Sequence, residues 1–327
     1  MKISRLISPL ILAAIPITAS AAGLEQVADD PISTTFTFGY SSGDIDGDID
    51  LSTMTFDVDS DISLGSNINI ALGLSISKTT VEDLLGPGGD IDAELISFGF
   101  DPSYHFGNGG YAGVYYRSGD LDIAIPIIPI NFGIDTSSMG IFGGYESGPL
   151  WVEAFYGTSD ADLIGPGDIT DYGASFSYGA TADLDVFGHV ARTDIEDGFG
   201  DNLELTILGV GAEYRMQNGL AFYGSLGRLN TGGTIVAGGD VYANQATLGA
   251  SYALQTSIPA VFSLEFTKTE VDLDGLLGPD PLDIDTVSVG LTIPVGSNAK
   301  AKPLNSSTQT ARGASRSAIS GALATLN

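Results

Sequence analysis

Residues Ile68 to Ile76 read Ile-Asn-Ile-Ala-Leu-Gly-Leu-Ser-Ile, with a large aliphatic side chain at every even position and a small or polar one between. A two-residue period places the two sets on opposite faces of a β-strand. One face is continuously apolar and the other can meet water. Such a strand fits a sandwich, packed on a second sheet, and equally a barrel wall facing lipid. The rest of the chain decides between them.

The alternation recurs. From Ser33 onward fourteen strand-like segments can be marked, near 33–42, 49–59, 66–79, 92–102, 110–118, 134–145, 149–158, 170–179, 183–193, 203–215, 219–229, 241–254, 258–269 and 284–295. Their connections alternate in kind. Glu146 to Pro149, Gly179 to Asp183, Met216 to Gly219 and Gln255 to Ser257 are short. Gly43 to Asp48, Val81 to Asp90, Ser159 to Asp168, Asp194 to Asn202 and Glu270 to Asp283 are longer and rich in Asp and Gly. Short turns at one end and long loops at the other describe an up-and-down transmembrane barrel, whereas Greek-key connections do not alternate in this way. The expected fold is all-β, an antiparallel up-and-down transmembrane β-barrel of about 14 strands, with 12 or 16 as the neighbouring even counts. Related tips, Leu84-Leu85-Gly86-Pro87, Leu163-Ile164-Gly165-Pro166 and Leu276-Leu277-Gly278-Pro279, recur at spacings near two and three hairpins, so the repeating unit is the hairpin.

Lys2 and Arg5 precede an apolar run from Leu6 to Ile17, and Ala19-Ser20-Ala21 follows at cleavage spacing. Residues 1–22 therefore read as a secretory signal peptide. Residues 23–32 form a short N-terminal segment, 33–295 the barrel, and 296–327 a basic, low-complexity tail expected on the periplasmic side. No later stretch offers the roughly 20 apolar residues of a membrane helix, so any span must be made of strands. Cysteine is absent, and an exported chain of this size is then not a disulfide-stapled scaffold. A net charge of -29 argues against nucleic acid as a partner. It makes the acidic loops candidate seats for divalent cations, although most of the acidity reads as solvated surface.

Strand faces agree with a membrane. Phe98 and Phe100, the alternate residues from Tyr172 to Tyr178, Leu208 to Tyr214, Ala260 to Phe266, and Val287 to Ile293 put apolar side chains on one parity, with Gly99, Ser175, Gly211, Ser263 and Ser288 on the other. Aromatics gather beside the short turns: Tyr104, Phe106, Tyr145, Trp151, Tyr178, Tyr214, Phe222 and Tyr252. Girdles of this kind mark a membrane interface.

On these features residues 33–295 resemble Gram-negative outer-membrane β-barrels of the porin type, in architecture and without a family-specific motif. The resemblance implies an outer-membrane location in a Gram-negative bacterium and passive diffusion of small polar or cationic solutes. It makes a homotrimer a candidate assembly, while two isolated histidines and no cysteine argue, on the residues themselves, against an enzyme and against a zinc or haem cofactor. Two other readings stay open: a closed structural or adhesive outer-membrane barrel, and a soluble secreted acidic β-protein.

Candidate residues follow from parity. His105 and His189 lie in no local catalytic motif, so no catalytic residue is assigned. The stretches Asp44 to Asp50 and Asp272 to Gly275 lack the full calcium-loop pattern, and no metal site is assigned. Arg117, Glu153, Asp171, Glu213 and Glu265 point to the lumen as pore-lining candidates, with an acidic excess that favours cations. Lys78, Arg228 and Lys268 point outward near the long loops, where lipopolysaccharide phosphates are expected, although simple snorkelling predicts the same positions. The third long loop, Gly119 to Asp135, holds Ile123, Ile125, Pro126, Ile127, Ile128, Pro129 and Ile130. Two prolines disfavour regular structure there, so it is expected to be extended and irregular. Its isoleucines are candidates for a lid or inward constriction, or else face a partner, lipid or hydrophobic solute. The tail lacks acidic residues and carries Lys300, Lys302, Arg312 and Arg316. A free tail is the simpler expectation, and entry into the acidic lumen is the alternative.

Overall fold

The structure is a computed structural model and describes residues 31–83, 89–125, 130–162, 168–196, 202–232, 241–254, 259–273, 281–296 and 316–318. The expected signal peptide and the three Gly-Pro loop tips lie outside the described residues.

The strands are β1 (Ile32–Ile45), β2 (Ile49–Leu64), β3 (Ile68–Val81), β4 (Ile91–His105), β5 (Gly110–Ile125), β6 (Ile130–Ser147) and β7 (Leu150–Ala161). They continue as β8 (Asp168–Gly179), β9 (Leu184–Glu196), β10 (Asn202–Arg215), β11 (Leu220–Gly232), β12 (Val241–Leu254), β13 (Ala260–Leu273) and β14 (Leu282–Val295). Each pairs antiparallel with its sequence neighbours, and β1 closes on β14 from Thr34↔Val295 to Ile45↔Ile284. Closure leaves no unpaired edge, the condition for strands to cross a bilayer.

Short turns are written in the sequence. Phe106-Gly-Asn-Gly109 and Met216-Gln-Asn-Gly219 fold alike. In each, the Asn side chain accepts the backbone N–H two residues on, at 3.1 Å, and the final glycine takes φ of 89° or 85°. That left-handed conformation is open to glycine at little cost.

The outer wall carries the apolar parity. Phe38, Met54, Phe98, Ile141, Tyr156, Leu208, Leu226, Leu248, Phe262, Leu264 and Val289 are all exposed there. The inner wall holds threonines and serines that bond across strands, such as Thr37 to Thr292 at 3.1 Å and Thr247 to Thr267 at 3.0 Å. A greasy exterior around a polar interior is the inverse of a soluble protein and defines a transmembrane barrel. Of the expected short-turn girdle, Tyr104, Phe106, Tyr145, Tyr178, Tyr214, Phe222 and Tyr252 are exposed. Trp151 instead packs with the inward cluster around Tyr111 and Phe155, because it shares the parity of Glu153 rather than that of Val152.

Strands run further into the long-loop side than the sequence suggests. The third long loop is largely a hairpin: Gly119 pairs Thr136, Leu121 pairs Ile134, and the ladder runs on to Ile125↔Ile130. The irregular segment expected from Gly119 to Asp135 is thus corrected to paired strand over residues 119–125 and 130–135, where neither proline falls and no ladder bond is lost to one. Ile123 sits on the inner face of that wall, while Pro126 to Pro129 lie outside the described residues.

Toward this end the alternation changes sign. Asp92, Asp160, Glu204, Asp283 and Asp285 stand on the outer parity, while Leu95, Ala161, Ile169, Ile195 and Ile207 are buried on the inner one. Ala161, Ile169 and Ile195 pack together with Leu203. An acidic collar surrounds an aliphatic mouth.

Candidate functional site

Inside the apolar belt, several inward aromatic rings lie against inward glycines of nearby strands. Tyr115 of β5 rests over Gly140 and Gly157, and Phe142 of β6 over Gly113. A side chain at any of these glycines would collide with the ring, so the missing Cβ lets each aromatic lie flat on the wall. Tyr111, Tyr115, Phe142 and Phe155 form one buried inward cluster. Tyr111 meets Phe142 edge-on at 6.2 Å, and Tyr115 meets Phe155 edge-on at 6.3 Å.

Two carboxylates frame this aromatic floor. Asp101 on β4 accepts two hydrogen bonds from Arg117 of β5, at 2.5 and 2.6 Å. Arg117 can reach across because Gly99, directly opposite it, has no side chain in the way. Glu153 on β7 accepts through Oε2 from the Tyr111 hydroxyl at 3.1 Å.

The space between them is occupied by the chain itself. Arg316 of the tail donates from Nε and Nη2 to Oε1 of Glu153, at 3.1 and 2.8 Å, and from Nη1 to Asp101. Its guanidinium carbon lies 3.8 Å from the Phe142 ring centre and 5.5 Å from that of Tyr115. Ala318 donates its backbone N–H to Thr193 Oγ1 at 3.0 Å, and Thr193 in turn donates to Asp171, which also accepts from Ser159. The side chains of Arg316, Asp101 and Glu153 are each 10% exposed or less. Burial opposes a charge on Arg316, but Glu153 and Asp101 outweigh it and hold the guanidinium's pKa above its ordinary value. For residues 316–318 the expectation of a free tail is corrected: the acidic lumen offers the Arg316 side chain counter-charges that bulk water does not.

All five pore-lining candidates stand on the inner parity. Arg117, Glu153 and Asp171 converge around residues 316–318. Glu213 sits lower, joined at 3.1 Å to Arg215, which also pairs with Asp185. Glu265 lies across the barrel and accepts from Tyr223 at 2.5 Å. Sequence reasoning missed Asp101, Tyr115, Phe142 and the inward row Asp57, Asp59 and Asp61 on β2. Parity would have found them, since Asp101 shares its face with Gly99 and the row shares its face with Thr53. Carboxylates outnumber guanidinium groups on the inner wall among the described residues.

The outward basic residues find partners in their own barrel. Lys78 lies 3.7 Å from Asp92, Lys268 lies 3.0 Å from Asp283 and 3.9 Å from Asp285, and Arg228 stacks on Tyr242 at 5.1 Å. His189 Nδ1 is 2.8 Å from the Ser175 hydroxyl, and among the described residues its Nε2 is buried without a hydrogen-bond partner. Among the described residues, then, the pair has no third, orienting group of the kind a catalytic triad uses.

The sequence profile of the family described as Gram-negative porin matches residues 27–234 and 131–275. Curated protein sequences give no match. Among solved structures, the CymD monoaromatic hydrocarbon channel is similar, with 9% identity over 82% of this chain and 89% of that one and a TM-score of 0.50. An anion-selective porin from Comamonas acidovorans follows, with 11% identity, 81% and 99% coverage and a TM-score of 0.47. So does the Pseudomonas putida toluene transporter TodX, with 10% identity, 82% and 90% coverage and a TM-score of 0.47. Likeness at such identity speaks to the fold alone.

Proposed function

The chain belongs to the family of Gram-negative porins, and from that premise we propose that it is a non-enzymatic diffusion channel of the outer membrane that prefers small cationic solutes and is narrowed by its own tail. The outer-membrane location and the barrel channel come with the family and the closed wall. The solute preference rests on one observation: the inward wall is acidic, and the described part of the tail that enters it does so through a guanidinium. A fixed negative lining in a water-filled lumen raises the local concentration of cations and lowers that of anions. Asp57, Asp59 and Asp61 supply a row of carboxylates along β2, on the wall away from the aromatic cluster of β5 to β7. They give a cation successive partners on its way through.

The test is electrical. Refolded full-length protein and a variant lacking residues 297–327 are compared in planar bilayers under a salt gradient. The proposal expects higher conductance for the shortened chain, most marked at low salt, and a reversal potential of cationic sign in both. Anion preference in the shortened barrel would refute the solute class.

A barrel kept shut as a surface protein is the second reading, favoured by the aromatic and aliphatic side chains buried on its inner wall. It expects the shortened barrel to stay silent.

A further inference from the structure

The cage around Arg316 is assembled without Arg316. Asp101 is oriented by Arg117, Glu153 by Tyr111, and the rings of Phe142 and Tyr115 are laid flat by the glycines beneath them. None of these contacts involves the tail. Without Arg316, the cage keeps its shape and loses its charge balance. Asp101 remains paired with Arg117, while Glu153 is left facing the lumen with a neutral phenol as its described partner. A carboxylate that has lost its counter-charge in this way favours a new cation.

We infer that this cage is a binding site for small guanidinium-bearing solutes, and that Arg316 is an internal occupant which such a solute displaces. The inference rests on the channel reading above and adds the solute's chemical class. Shape selects the class. The site presents a fork of two carboxylates in front of a ring face 3.8 Å from the cation. A planar guanidinium can donate several parallel hydrogen bonds to the fork while its flat face lies on the ring. An alkylammonium of equal charge has a strongly hydrated tetrahedral head and no face to stack. Both cations feel the acidic lumen, but the cage distinguishes them.

The experiment uses the full chain carrying Arg316→Ala, with ethylguanidinium and propylammonium as monocations of similar size. In planar bilayers, ethylguanidinium is expected to interrupt the current at concentrations about tenfold lower than propylammonium, in line with the stacking and bidentate advantage. Adding Glu153→Gln should erase the difference. A second readout needs no conduction: calorimetric titration of the folded Arg316→Ala barrel in detergent, where ethylguanidinium should bind and propylammonium should not. Equal behaviour of the two cations in both measurements, or a preference that survives Glu153→Gln, overturns the site. A silent barrel that still binds ethylguanidinium supports the site and refutes the channel. A conducting barrel indifferent to guanidinium does the reverse.

Discussion

Replacing Glu153 with glutamine tests how firmly the tail is held. The substitution preserves shape and removes the charge that receives two of the three hydrogen bonds from Arg316 to carboxylates. Breaking a buried ion pair by altering one partner costs roughly 3–5 kcal/mol. If the intact latch carries about that much, the parent barrel releases its tail in only about one in 10² to one in 10⁴ molecules at a time, at 1.4 kcal/mol per factor of ten. Glutamine still offers a carbonyl acceptor, so about half the latch survives, and release should rise roughly 10- to 100-fold. Single-channel recording of refolded Glu153→Gln barrels reads this directly as open probability. Arg316→Ala serves as the fully released reference. A Glu153→Gln barrel that opens no more often than the parent, beside an Arg316→Ala barrel that opens freely, would show that Glu153 is not the latch. Closure unchanged in both variants would refute the reasoning at its root.

Three further outcomes are expected. Gly157→Val should push the Tyr115 ring off the wall and weaken the tail's seat, raising open probability severalfold in the same recordings while heat-modifiable migration on gels stays normal. Changing Asp57, Asp59 and Asp61 together to asparagine should lower cation over anion preference, read as a smaller reversal potential; no change would take the row out of the ion path. Like charges face each other across the collar at Asp44↔Asp50, Asp44↔Asp285 and Asp120↔Asp135, so the unfolding temperature in detergent should rise by a few degrees from low to physiological salt as the repulsion is screened.

Strand number and facing were legible because each strand repeats one simple pattern, and Ile68 to Ile76 alone contains it. The strand ends were not. At Asp120-Leu-Asp-Ile123 the acidic residues read as loop, although they still alternate with aliphatics and still pair across the hairpin. Alternation reports that a strand exists; composition reports what it faces, and the two were conflated where the outside turns acidic. Glu153 and Asp171 were found from parity, but not their shared occupant. Arg316 meets Glu153 across a sequence separation of 163 residues, and no local pattern encodes such a meeting. The only hint was global, a basic tail attached to an acidic barrel.

The change of sign in the alternation also sets how deep the barrel rides. On β3 the outward aliphatics run from Ile68 to Ile76 and stop at Lys78. Nine residues span about 27 Å of strand, or roughly 20 Å of height at the usual barrel tilt. That is less than the about 30 Å of hydrocarbon in an average bilayer. Settling deeper would carry the acidic collar into lipid, and rising would lift the aromatic rim out of its interface. Neither shift is available to relieve the mismatch. The lipid must yield instead, thinning around the wall, and the barrel should favour the thinner membranes in which such thinning costs least.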